Sequence, residues 1–313
     1  MKIRHLLAGI ALLISACKPA PSESPPAATS AAPTVPATSG KPQVFVANYP
    51  LQYFAQRIAG DAVEVRFPAP KDEDPAFWQP DDVTVSAFQK ADLILMNGAT
   101  YSKWADKVTL PETKVVDTSK AFANNFIQVS TAMTHSHGPG GEHSHSGTAF
   151  TTWVDFNQAS HQAQAVCDAL SKLVPTAKEV MEKNTVTLRE ELEALDDRLS
   201  RLGRKWGSQP LVASHPVYHY LARRYGMNLK AVLWEPDVVP DEKALNDLRT
   251  LLSGHRAHWM IWEGTPDPRS VEAIASTFDI KSIVFDPCAN VPESGDFMKV
   301  MNANVDALEK AFP

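Results

Sequence analysis

Three cysteines in 313 residues are too few for a fold stapled by disulfides. With Cys17 expected to be lipidated, only Cys167 and Cys288 remain as thiols. They read as buried thiols, with a Cys167–Cys288 pair as the alternative, since spacing along a chain does not fix separation in space. A basic stripe is also missing. The formal net charge is −6, which argues against nucleic acid as a partner. The chain has no HExxH helix and no Ser or Cys nucleophile signature, so the usual marks of a hydrolase are lacking. Its one strongly apolar run, Leu6 to Ile14, is too short for a permanent membrane span.

That run belongs to a leader. Lys2 and Arg4 precede it, and Ile14-Ser15-Ala16-Cys17 closes it with small residues and a cysteine. Residues 1–17 read as a lipoprotein signal in which Cys17 is lipidated; an ordinary secretory signal is the alternative. Residues 18–42 are Pro, Ala, Ser and Thr with little to bury, a disordered tether between anchor and domain. The expected location is periplasmic or extracytoplasmic, with the membrane reached through lipid.

The rest alternates strand and helix. Strands are expected at Gln43 to Asn48, Val63 to Phe67, Leu93 to Met96 and Lys114 to Val116. Helices are expected from Pro50 to Ile58, Asp81 to Ala91 and Tyr101 to Val108. From Asn157 the pattern is purely helical. Leu188, Leu192, Leu195, Leu199 and Leu202 form an apolar seam on a helix expected from Pro175 to Leu202. A second block follows, with strands at 211–214, 229–233, 258–262 and 282–285, and helices near 216–225, 241–252, 268–277 and 296–311. The expected class is α/β: two Rossmann-like lobes, each a mostly parallel sheet flanked by helices, joined by one long rigid helix. The lobes are expected at 43–156 and 205–313, with linking helices at 157–204.

In open α/β sheets ligands gather beyond the carboxyl ends of strands. His215, Glu263 and Asp286 all stand at such ends in the second block. Pro216 is expected to open a helix directly after His215. Four further groups are secondary candidates. His219 stands one helical turn beyond His215, although packing is its ordinary role. Asp74 and Glu73 belong to the acidic run Asp72-Glu73-Asp74, which otherwise reads as a solvated face. Glu235 follows a strand end, where capping or an ion pair is the default. His161, His255 and His258 read as structural. Trp78, Trp153, Trp234 and Trp262 lie near these segments, either as core or as a dry cover. His135, His137, His143 and His145 sit in a Gly- and Pro-containing stretch within 134–147 that reads as a loop without regular structure and with a metal-collecting composition.

Taken together, Asn48-Tyr-Pro-Leu, Ile58-Ala-Gly-Asp61, Lys90 to Gly98 with Trp104, Asn184, Ser214-His215, Arg224-Tyr-Gly226, Glu263 and Phe285-Asp286-Pro287 resemble the metal-binding subunits of bacterial ABC importers for zinc and manganese. The resemblance covers nearly all of the chain after the tether. It implies two lobes around a rigid helix, a divalent metal (zinc first, manganese or another as options) between them, delivery to an ABC transporter permease, and no catalysis. It also implies four ligands, two of them first-lobe histidines. Both are missing: Ala76 and Thr151 stand where they are expected. Other cargo therefore stays open, either a metal complex or an organic ligand held by the tryptophans. A metal-dependent hydrolase and a zinc-buffering adhesin are the readings from other classes.

Overall fold

The computed structural model describes residues 40–129, 134–136, 142–144 and 147–313. The leader with Cys17, most of the tether, His137 and His145 lie outside the described residues. Lys41–Pro313 forms one compact unit. Among the described residues no helix is long and apolar enough to cross a membrane.

The first lobe is built on β1 (Gln43–Val46), β2 (Glu64–Arg66), β3 (Leu93–Met96) and β4 (Val115–Asp117), parallel throughout in the order β2-β1-β3-β4. The second has β9 (Pro210–Ala213), β10 (Asn228–Ala231), β11 (Trp259–Trp262) and β12 (Lys281–Val284) in the equivalent order β10-β9-β11-β12. In each sheet the first strand of the block lies inside, so both lobes repeat one winding. The α/β class expected from the alternation is what the chain adopts.

Helix starts follow their caps. Asn48 accepts from Leu51 N ahead of α1 (Tyr49–Ala59), Asp81 from Thr84 N ahead of α2 (Asp82–Lys90), and Asp155 from Asn157 N and Gln158 N ahead of α3 (Phe156–Leu173). Each cap satisfies amides that have no partner within the helix. A single turn of 3₁₀ helix, Pro175–Ala177, precedes α4 (Lys178–Trp206). At 29 residues α4 is about 44 Å long. Its seam of Leu188, Leu192, Leu195, Leu199 and Leu202 is buried, and α4 packs on α1 and α3. On the other side it meets α5 (His219–Tyr225) and α8 (Phe297–Ala311). Ion pairs reinforce these contacts: Arg198 reaches Asp306 and Glu309, and Arg224 on α5 takes Asp196 with both its Nε and Nη2. The remaining helices, α6 (Glu242–Ser253) and α7 (Pro268–Phe278), cover the second sheet.

Three expectations need correction. Tyr101 to Val108 is not α-helical but a short 3₁₀ segment, Lys103–Lys107, and Ser102 provides no side-chain cap. What holds it is Trp104, packed against Phe88 and Trp78. The helix expected from Pro216 begins only at His219, so residues 214–217 form a turn rather than a first helical turn. The His-containing stretch is partly regular: β6 (Thr134–Ser136) and β7 (Glu142–Ser144) pair antiparallel, with His135 opposite His143. Its flanks, β5 (Gln128–Val129) and β8 (Gly147–Thr148), pair as a second ladder.

A polar knot secures the first lobe. Gln162 of α3 donates to Asn97 Oδ1 and Thr118 Oγ1 (both 3.1 Å), and Asn97 Oδ1 also accepts from Asn48 Nδ2 at 3.1 Å. All four residues are buried, so the pairing removes what would otherwise be a desolvation penalty. Beside it Gly98 is obligatory: φ is +75°, and a Cβ would stand 1.9 Å from Ser119 Oγ.

Candidate metal centre

The rim of the second sheet carries four polar groups in spatial sequence. Glu235 follows β10, His215 follows β9, Glu263 follows β11 and Asp286 follows β12. The sheet ladder continues past the strand ends and fixes them: Ser214 N donates to Ile261 O (2.8 Å), Trp234 N to Ser214 O (2.7 Å) and Phe285 N to Trp262 O (2.8 Å). His215, itself buried, therefore emerges between two neighbours whose backbones are tied to its own.

His215 Nδ1 lies 3.2 Å from Glu263 Oε1 and 3.4 Å from Glu235 Oε1. One atom from each of these side chains falls within 4.8 Å of the others, the only such grouping of His, Cys, Asp and Glu among the described residues. The sequence points to Asp286 as third member; geometry gives that place to Glu235. Asp286 follows the edge strand β12, and its Oδ1 accepts from Cys288 N at 2.6 Å within the following turn. It nevertheless stays close enough for its charge to act on Glu263.

Electrostatics sets this rim apart. Burial raises the Glu263 carboxyl well above the usual carboxylate range, and Glu235, Asp74 and Asp286 push it further in the same direction. Asp286 is raised as well, chiefly by burial, with the Cys288 amide opposing. Carboxylates crowded at a half-buried rim repel one another, and a divalent cation among them reverses that repulsion. One imidazole nitrogen with carboxylate oxygens is a donor set that Zn²⁺ accepts, while more oxygen favours harder ions such as Mn²⁺.

The other candidates fall as follows. Asp74 is exposed on the first-lobe loop, its Oδ1 accepting from Ala76 N at 2.9 Å, and its charge reaches Glu263. Glu73 is exposed, with its backbone oxygen bonded to Asn290. His219 is not in the grouping; it lines a small separate cavity with Thr100, Lys103, Thr148 and Thr151, and burial lowers its pKa. Ala76 and Thr151 are both buried and offer no imidazole. His255 is structural, its Nε2 bonding Leu211 O at 2.8 Å.

The tryptophans are core. Trp78 joins Phe88 and Trp104 in the first lobe, and Trp234 packs on Trp262 in the second, ring centres 6.2 Å apart. Trp153 Nε1 spans the lobes to Pro287 O at 2.7 Å. Both Cys167 and Cys288 are free and buried.

Two equivalent parallel sheets and one long helix that packs on helices of both lobes define a two-lobe α/β fold. A family model described as zinc-uptake complex component A, periplasmic, matches residues 44–311, and the chain belongs to that family. The zinc-binding lipoprotein AdcA of Streptococcus pneumoniae is 24% identical over 282 residues, covering 87% of this chain but 56% of AdcA, so the chain spans little more than half of that relative. The high-affinity zinc uptake system protein ZnuA of Bacillus subtilis is 22% identical over 285 residues, with 86% and 87% covered. The manganese ABC transporter substrate-binding lipoprotein PsaA of S. pneumoniae is 23% identical over 283 residues, with 87% and 89% covered. Among solved structures, the metal-dependent lipoprotein YcdH of B. subtilis superposes with a TM-score of 0.73 at 21% identity, covering 87% of this chain and 100% of YcdH. The Zn(II)-bound AdcA structure gives 0.72 at 21% identity, with 87% and 58% covered.

Proposed function

We propose that this chain captures a divalent metal ion outside the cytoplasm, zinc first, and delivers it to an ABC permease. His215, Glu235 and Glu263 hold the ion from the second lobe. Asp286 and Asp74 supply further negative charge, and either completes the shell where water does not. A manganese cargo fits the same oxygen-rich set. The chain is a carrier and not a catalyst, and it stays near its permease through a lipid on Cys17. His135, His137, His143 and His145 collect metal ahead of the cleft.

The observation that carries this reading is the meeting of one imidazole and two carboxylates at three adjacent strand ends, in a chain of a zinc-uptake family. Isothermal titration of metal-stripped protein tests it, alongside a variant lacking residues 135–145. The expected result is a 1:1 high-affinity phase that survives the deletion. A phase that disappears with the deletion assigns binding to the His-containing stretch and overturns the cleft reading.

A further inference from the structure

The turn after β12, residues 286–291, bonds to the first lobe through several backbone and side-chain groups. Pro287 O accepts from Trp153 Nε1 at 2.7 Å, and Ala289 O accepts from Tyr49 N at 3.0 Å. Asn290 then reaches across with its amide: Nδ2 donates to Pro70 O at 2.6 Å and to Glu73 O at 2.9 Å. Its Oδ1 accepts from Val291 N at 2.7 Å, so both amide protons and the carbonyl are engaged.

The segment it grips is compact. Glu73 N donates to Pro70 O, and Asp74 O accepts from both Phe77 N and Trp78 N. Asp74 Oδ1 is aimed by Ala76 N. Holding Glu73 O therefore fixes Asp74 one residue on. Other interlobe bonds are made elsewhere, among them Tyr220 OH to Ala149 O, Ile127 N to Tyr220 OH, Phe156 N to Tyr225 OH, Arg223 to Asn125 O and the Arg224–Asp155 ion pair. None of these touches the acidic turn.

We propose that Asn290 is the positioning residue for the first lobe's share of the metal site. It seats the turn Pro70 to Trp78 so that Asp74 faces the cation held by His215, Glu235 and Glu263. This rests on the cleft reading above and assigns a role within it. Because Asn290 acts through Asp74, its removal and that of the Asp74 charge are non-additive, whereas plain interlobe glue would add independently.

The test is a double-mutant cycle on the full chain, with zinc affinity measured by competition against a fluorescent chelator. Native protein, Asn290→Ala, Asp74→Asn and the double variant are compared, with hydrogen exchange followed across the chain. Asn290→Ala is expected to weaken zinc about tenfold and to speed exchange in residues 70–78, with the rest of the first lobe and the second lobe protected as before. In the Asp74→Asn background the same change is expected to cost less than about twofold. An equal loss in both backgrounds, or native affinity despite faster exchange, overturns the proposal. If Asn290→Ala does not fold, Asn290→Leu keeps the volume without donors and enters the same cycle. Should native protein and His215→Ala titrate alike, the cleft reading itself fails, and that result is distinct from additivity.

Discussion

His215 has the least freedom of any group at the rim. It is buried, its chain direction is set by the Ser214 ladder bonds, and a carboxylate stands on either side at 3.2 and 3.4 Å. Replacing it by Ala is expected to lower zinc affinity at least 100-fold, since the one imidazole in the grouping found among the described residues is lost. Glu235→Gln is expected to cost about tenfold or more by the same titration, which separates a ligand from a helix-capping residue. The raised Glu263 carboxyl gives a pH dependence of definite sign. A carboxyl whose folded pKa lies above its unfolded value of 4.5 favours the metal-free fold at acid pH, and loses that contribution as pH rises toward the folded value. Metal must displace the proton, so binding is expected to release protons and to weaken as pH falls through the folded value. Titration in buffers of different ionisation enthalpy measures that release. A proton count of zero at every pH would contradict the role given to Glu263.

Elements were legible wherever a local signal carried them. The helices expected from Asp81 to Ala91 and from 296–311, and the one carrying the leucine seam, are reproduced within a few residues, and in the structure Asp81 and Asp296 turn out to be caps. Removing the seam at its centre, Leu192→Ala, is expected to cost about 2–5 kcal/mol by denaturant unfolding, because Leu192 is fully buried on a helix that packs against helices of both lobes. Removing a cap, Asp241→Ala, is expected to cost about 1 kcal/mol at the start of α6, where its Oδ1 holds the Ala244 amide. Local signals failed where tertiary contacts decide. Pro216 looks like a first helical residue, yet residues 214–217 form a turn and α5 starts only after Tyr218, whose hydroxyl donates to Phe285 O at 2.7 Å. Asn290 carries no sequence signal at all: one Asn in a loop becomes informative only when Pro70 and Glu73 are seen beside it.

At the scale of the molecule, strand ends could be read from the chain but their neighbours could not. His215, Glu263 and Asp286 were visible as strand-end residues. That Glu235 and not Asp286 stands close to His215 follows from the order β10-β9-β11-β12, which puts β10 and β11 on either side of β9. The missing imidazoles at 76 and 151 pointed to an incomplete first lobe, and the proposed site takes its first-lobe share from Asp74, whose charge adds to the upward push on the Glu263 carboxyl. The most direct measurement is a crystal structure with zinc, located by anomalous scattering at the zinc edge. The account predicts one strong peak at about 2.0–2.2 Å from His215, Glu235 and Glu263. A peak elsewhere, with these three side chains left without metal, would contradict it.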